Sequence, residues 1–202
     1  PLEIYDERRH YLDVAGEIRD IFRAIFPDIG GLQAEAIREA IKTSYKEQGW
    51  DNSVREKCII PSFARFVEIL ESRASKDKSV QSLLTRLKEL QDYGLFTTTE
   101  GGESLWETRV PLIARVHSTQ NENMQRAFAF LLFYELYKTM FYRSPQDHLT
   151  HYIVFDEAHR AARLDLISTM VQESRKYGVG LVLASQQSQD FNPKLFSLIA
   201  NY

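Results

Sequence analysis

Residues 152 to 160 read Tyr-Ile-Val-Phe-Asp-Glu-Ala-His-Arg, four apolar or aromatic positions running straight into two carboxylates. A short run of this kind is expected of a buried parallel strand, which would leave Asp156 and Glu157 at its carboxyl end. Adjacent carboxylates in that position can divide a hydrolytic task. One holds a hydrated Mg²⁺ through its waters, and the next orients and deprotonates an attacking water. Asp156 is assigned the metal and Glu157 the water. The alternative for Asp156 is a plain helix cap. About thirty residues on, Val179 to Ala184 is a second apolar run ending at Ser185-Gln186. A neutral amide at the next strand end can bond a terminal phosphate oxygen and the same water; otherwise Ser185 to Ser188 is a polar turn.

Taken together, these residues have the form of a Walker B element followed by a sensor strand. The stretch from Tyr152 to Asn192, including Glu-Ser-Arg-Lys-Tyr-Gly at 173 to 178, resembles the corresponding region of HerA/FtsK-type P-loop ATPases. Those families comprise hexameric DNA translocases, with relatives among conjugation and type IV secretion ATPases. The resemblance implies ATP and Mg²⁺ as cofactors, with Asp156, Glu157 and Gln186 at the nucleotide. It also implies that Arg175, with Lys176 as second choice, reaches a neighbouring subunit's phosphates as an arginine finger. Without the resemblance, Arg175 and Lys176 are two solvated cations well placed at a helix C-terminus. His159 is read as structural.

The elements that must position these residues follow from periodicity. Ile18, Ile21, Phe22, Ile25 and Phe26 form one helical stripe ending before Pro27; Leu32, Ala36, Ile37, Ala40, Ile41 and Tyr45 form a second. Ser62 is placed to cap a third, Phe63 to Leu70, and Val80, Leu83, Leu84, Leu87 and Leu90 make the fourth. Residues 1–94 are therefore expected to be a small all-α bundle, which the resemblance implies is a helical insertion. Residues 95–202 are expected to hold three parallel strands, at Leu112 to Val116, Tyr152 to Phe155 and Val179 to Ala184, which the resemblance implies are part of a RecA-like ATPase core. Thr119 to Tyr142 and Leu164 to Tyr177 are the intervening helices, with Gly178 as a stop. The fold class is α/β: an incomplete RecA-like P-loop NTPase parallel sheet carrying an all-α helical insertion.

Composition constrains the class further. The chain has 202 residues with 25 Lys+Arg against 28 Asp+Glu, a net charge of −3, so there is no bulk basic signature of nucleic-acid binding. A chain of this size can bury roughly 70% of its unfolded surface, enough for a core. The single Cys58 excludes an internal disulfide and fits a reducing cytoplasm. No apolar run is long enough to span a bilayer, and no signal peptide is visible.

A P-loop requires Gly-x-x-x-x-Gly-Lys-Ser/Thr, yet none of the nine glycines is followed by lysine. The expectation is an internal piece whose Walker A lies before Pro1 and whose last strand follows Tyr202, leaving the strand at 179 to 184 with an open edge that invites self-association. In the intact protein, the resemblance implies a homo-hexamer moving duplex DNA without sequence preference. Lys194 and Arg115 are candidate contacts, and a nuclease or other effector is a candidate partner in DNA end processing or phage defence. Three alternatives remain: a conjugation or type IV secretion ATPase, a fragment of a superfamily 2 DEAH helicase, and a non-enzymatic helical interaction module.

Overall fold

The computed structural model describes residues 2–51, 58–75, 77–96, 105–107, 110–115, 120–156, 158 and 165–198. Two compact units divide the chain, Pro1–Gly102 and Glu103–Tyr202.

The first unit is four helices: α1 Tyr11–Ile25, α2 Gly31–Glu47, α3 Phe63–Ala74 and α4 Lys78–Asp92. Each buries one stripe. Ile18, Phe22, Ile25, Ile37, Ile41, Phe66, Leu70, Leu83 and Leu87 are all fully buried, the positions that periodicity selects. Side-chain caps start three of these helices. His10 accepts from the Leu12 N–H, Asp77 from Ser79, and Ser62 from Arg65, supplying partners for N–H groups the helix cannot pair itself. The N-terminal segment is drawn into the core by Tyr45: its hydroxyl accepts from the Asp6 N–H at 2.8 Å and donates to the Asp6 carbonyl at 3.0 Å.

The second unit contains α5 Glu122–Met140, β1 His151–Phe155, α6 Asp165–Glu173, β2 Val179–Leu183 and α7 Pro193–Phe196. β1 and β2 pair in parallel, with His151 opposite Val179 and Phe155 opposite Leu183. Asn121 caps α5 through two N–H groups. This helix is buried nearly all round, as its uninterrupted apolar middle requires, and Phe133 packs edge-on against Phe155 of β1 at 4.7 Å.

Two sequence expectations fail here. Of the strand expected at Leu112 to Val116, residues 112–115 form none: Leu112 and Ile113 are 66% and 81% exposed, and Val116 lies outside the described residues. β1 is also not covered on both faces. Tyr152 and Val154 are 67% and 68% exposed while the alternate residues face inward, because one helix layer packs against only one side. Among the described residues the sheet therefore has two strands rather than three.

The α6 helix tightens into a 3-10 turn at Ser174–Tyr177 and stops at Gly178, whose φ of 66° is left-handed. The stop is also a tight fit. A Cβ at Gly178 would lie 2.6 Å from the His148 carbonyl oxygen and 2.8 Å from Gln146 Cβ.

Candidate functional site at the strand ends

Parallel pairing puts both carboxyl ends of the strands at one edge, and Asp156 and Gln186 both lie there. Asp156 follows β1 directly and is exposed; Gln186 lies three residues beyond β2 and is exposed as well. The ladder continues past the strands. Ala184 N–H donates to the Phe155 carbonyl at 3.0 Å, and Ala158 N–H donates to the Ala184 carbonyl at 2.7 Å. These two bonds fix the turn carrying Asp156 against the segment leading to Gln186. Ser185 donates its hydroxyl to Asp190, which folds the following 3-10 turn, Ser188–Asp190, back on itself. Glu157 and His159 lie outside the described residues.

Arg175 and Lys176 are not part of this arrangement. Both are exposed in the 3-10 turn that precedes β2, at the amino-terminal edge of the sheet. Four strand steps, roughly 13 Å, separate that edge from the one holding Asp156 and Gln186. Within one chain Arg175 therefore lies across the sheet from the carboxyl edge. Lys194 sits in α7, whose first turn is capped by Asn192, and Arg115 lies in the exposed segment 110–115.

Among the described residues, no group of three His, Cys, Asp or Glu side chains is placed to hold a metal ion. A single carboxylate such as Asp156 fits Mg²⁺ only in the manner of nucleotide enzymes, where water and phosphate oxygens supply most of the coordination. The chain holds no Gly-Lys pair for a phosphate cradle, so the residues present do not by themselves make an ATP site. Beyond β2 an open depression of about 610 Å³ is lined by Ser188, Gln189, Phe191, Asn192, Pro193 and Phe196, mostly apolar contacts that do not include Asp156 or Gln186.

Sequence reasoning missed a second polar cluster, at the opposite edge, formed by Trp106, Arg143, Thr150 and His151. Arg143 donates to Thr150 Oγ1 at 2.7 Å, and its guanidinium lies 4.7 Å from the centre of the Trp106 ring. The pair is 37 positions apart in sequence and has no periodic signature. The available signal was only an arginine just beyond a helix end.

No family model matches the chain, and no curated protein matches it. Among solved structures, it is similar to VirB4 of Thermoanaerobacter pseudethanolicus, with a TM-score of 0.62 and 19% identity, over 92% of this chain and 68% of that one. At that identity the likeness concerns the fold. Among the described residues the chain combines helices with a small parallel sheet. No helix among the described residues is long and apolar enough to cross a membrane.

Proposed function

We propose that the chain is part of a P-loop ATPase of the secretion or translocase type. Residues 1–94 would form a helical insertion and residues 95–202 part of the ATPase core. The observation that carries this reading is the placement of Asp156 and Gln186 at one carboxyl edge of a parallel sheet, the edge where open α/β sheets bind ligands. The VirB4-like fold supports the same superfamily.

In this reading Asp156 anchors a hydrated Mg²⁺, Glu157 is the general base, and Gln186 senses the terminal phosphate. When bound, ATP and Mg²⁺ supply the transferable phosphoryl group and neutralise its charge. Arg175 serves a neighbouring subunit, since its own strand edge faces away from the site it would assist. The intact protein is a homo-hexamer that moves duplex DNA, gripping phosphates in a salt-sensitive, sequence-independent way, and it acts with a nuclease or other effector in end processing or phage defence. A VirB4-like secretion ATPase is the second reading, favoured by the fold likeness itself. Duplex DNA that raises turnover severalfold supports the HerA-type reading; turnover indifferent to DNA supports the secretion type.

The test of ATPase function is Glu157→Gln in the intact protein. Nucleotide binding and assembly should persist while hydrolysis falls about a hundredfold or more through loss of the general base. Turnover within about threefold of the parent would remove Glu157 from the mechanism.

A further inference from the structure

The amino-terminal edge of the sheet carries a partly buried cation. Five arginines of the helical unit, Arg9, Arg19, Arg38, Arg65 and Arg86, each pair with a carboxylate. Arg143 is partly buried and makes no such pair among the described residues. Among the described residues its contacts are with Thr150, His151 and Trp106. Nη2 donates to Thr150 Oγ1 at 2.7 Å, Nη1 lies 3.0 Å from His151 Nδ1, and the guanidinium stacks over Trp106. A guanidinium has no lone pair to offer, so in this contact His151 Nδ1 is the acceptor; Nδ1 also lies 3.0 Å from Thr150 Oγ1. Burial and the Arg143 charge both push the His151 pKa below its ordinary value, in agreement with that assignment.

The supports are themselves anchored. Trp106 Nε1 donates to Thr139 Oγ1 at 2.8 Å, and the Thr150 hydroxyl donates to the Gly178 carbonyl at 3.0 Å. The guanidinium is thus fixed in position with no carboxylate paired to it among the described residues, the arrangement that binds an oxyanion with little reorganisation. Two of its N–H donors are used on Thr150 and His151; the remaining donors have no protein acceptor among the described residues.

The neighbouring segment adds charge of the same sign. The Lys176 carbonyl accepts from the Gln146 N–H at 2.9 Å, which ties the turn carrying Arg175 and Lys176 to the loop that follows Arg143. Both side chains are exposed. Of the acidic groups in these segments, Asp147 is engaged by His148, and Glu173 lies at the end of α6.

We propose that this edge is a binding site for a phosphate group, with Arg143 as the fixed contact and Arg175 and Lys176 as the adjustable ones. The phosphate belongs either to a free nucleotide or to a nucleic-acid backbone. The site is independent of the roles given to Asp156 and Glu157 at the far edge, so either assignment can fail alone.

Calorimetric titration of the full chain with pyrophosphate, with ATP and with a duplex oligonucleotide, at constant ionic strength against chloride, tests it. The two tryptophan indole N–H signals are followed by NMR in parallel. Saturable binding with a dissociation constant on the order of 1 mM or tighter is expected. The Trp106 signal should move while that of Trp50, in the helical unit, stays. Arg143→Gln should weaken binding about tenfold, and Arg175→Ala or Lys176→Ala a few-fold each. If Arg143→Gln does not fold, Arg143→Lys, which keeps the charge but loses the fork, should weaken binding about fivefold. Saturation by the duplex at lower concentration than by pyrophosphate or ATP assigns the backbone phosphate; the reverse order assigns the nucleotide. Absence of saturation by all three probes, or equal affinity in the parent and the folded Arg143 variant, overturns the proposal.

Discussion

Ala158 donates its backbone N–H to the carbonyl of Ala184 at 2.7 Å, a bond that joins the turn after β1 to the segment after β2 beyond the last paired residues. It makes the positions of Asp156 and Gln186 mutually dependent. In the intact protein, Gln186→Ala should lower turnover about ten- to a hundredfold with little change in nucleotide affinity, because a fixed polar group at the reacting phosphate acts chiefly on the transition state. Asp156→Asn should raise the Mg²⁺ concentration needed for activity. Steady-state kinetics across a Mg²⁺ series separates the two, and identical profiles for both variants would contradict the division of roles.

Arg175 sits at the other edge of the same sheet. Its proposed contact at the ATPase site is made from an adjacent subunit, so Arg175→Ala should reduce turnover while leaving nucleotide affinity at the Asp156 edge almost intact, whatever it does to phosphate binding at its own edge. Mixing Arg175→Ala with Glu157→Gln subunits gives the clearer result. In mixed assemblies some interfaces carry neither lesion, and partial activity should return; verified mixed assemblies that stay inactive count against action in trans.

Gly178 tests the scaffold beneath the Arg143 cluster. Gly178→Ala faces a left-handed φ of 66° and a Cβ 2.6 Å from the His148 carbonyl oxygen. Strain alone costs about 1–2 kcal/mol, and the displaced loop adds to it. Gly94, at φ 68° with open space around it, is the control. Gly94→Ala should cost about 1 kcal/mol in the helical unit, and Gly178→Ala clearly more in the other. Equal losses in chemical denaturation would mean that the loop yields freely.

The contrast between the two units explains what could be read in advance. In the helical unit, positions such as Phe22, Ile37, Phe66 and Leu87 are buried because a single helix face decides burial, and that face is written locally as a 3.6-residue period. The failures came where burial depends on a partner. Leu112 and Ile113 have strand-like composition, but β structure exists only when a second strand pairs with it. Tyr152 and Val154 looked doubly buried because an apolar run does not say how many layers will cover it. The carboxyl edge was legible, since parallel strands place their ends together. Arg175 stands at the opposite edge because it precedes β2. The stacking of Arg143 on Trp106 was not legible, being purely tertiary.

The helical unit carries its own pH dependence. Tyr5 and Tyr45 are 1% and 0% exposed, and burial is the main force pushing both hydroxyls well above the ordinary tyrosine value. Below pH ~10 both the folded and unfolded chains keep these protons, and stability does not depend on them. Above it the unfolded chain ionises while the folded one does not, so stability falls by about 1.4 kcal/mol per pH unit for each tyrosine. Tyr5→Phe should roughly halve that slope. Its intrinsic cost should be small, because Ser44, the partner of the Tyr5 hydroxyl at 2.7 Å, still donates to the Ile41 carbonyl. Tyr45→Phe removes its own contribution to the slope too, but leaves the Asp6 N–H and carbonyl without their partner, at about 1–3 kcal/mol each where buried. Urea unfolding between pH 8 and about pH 11.5, followed by helix signal, reads both effects. An alkaline slope unchanged in Tyr5→Phe would show that the Tyr5 proton is lost as readily in the folded protein as in the unfolded chain.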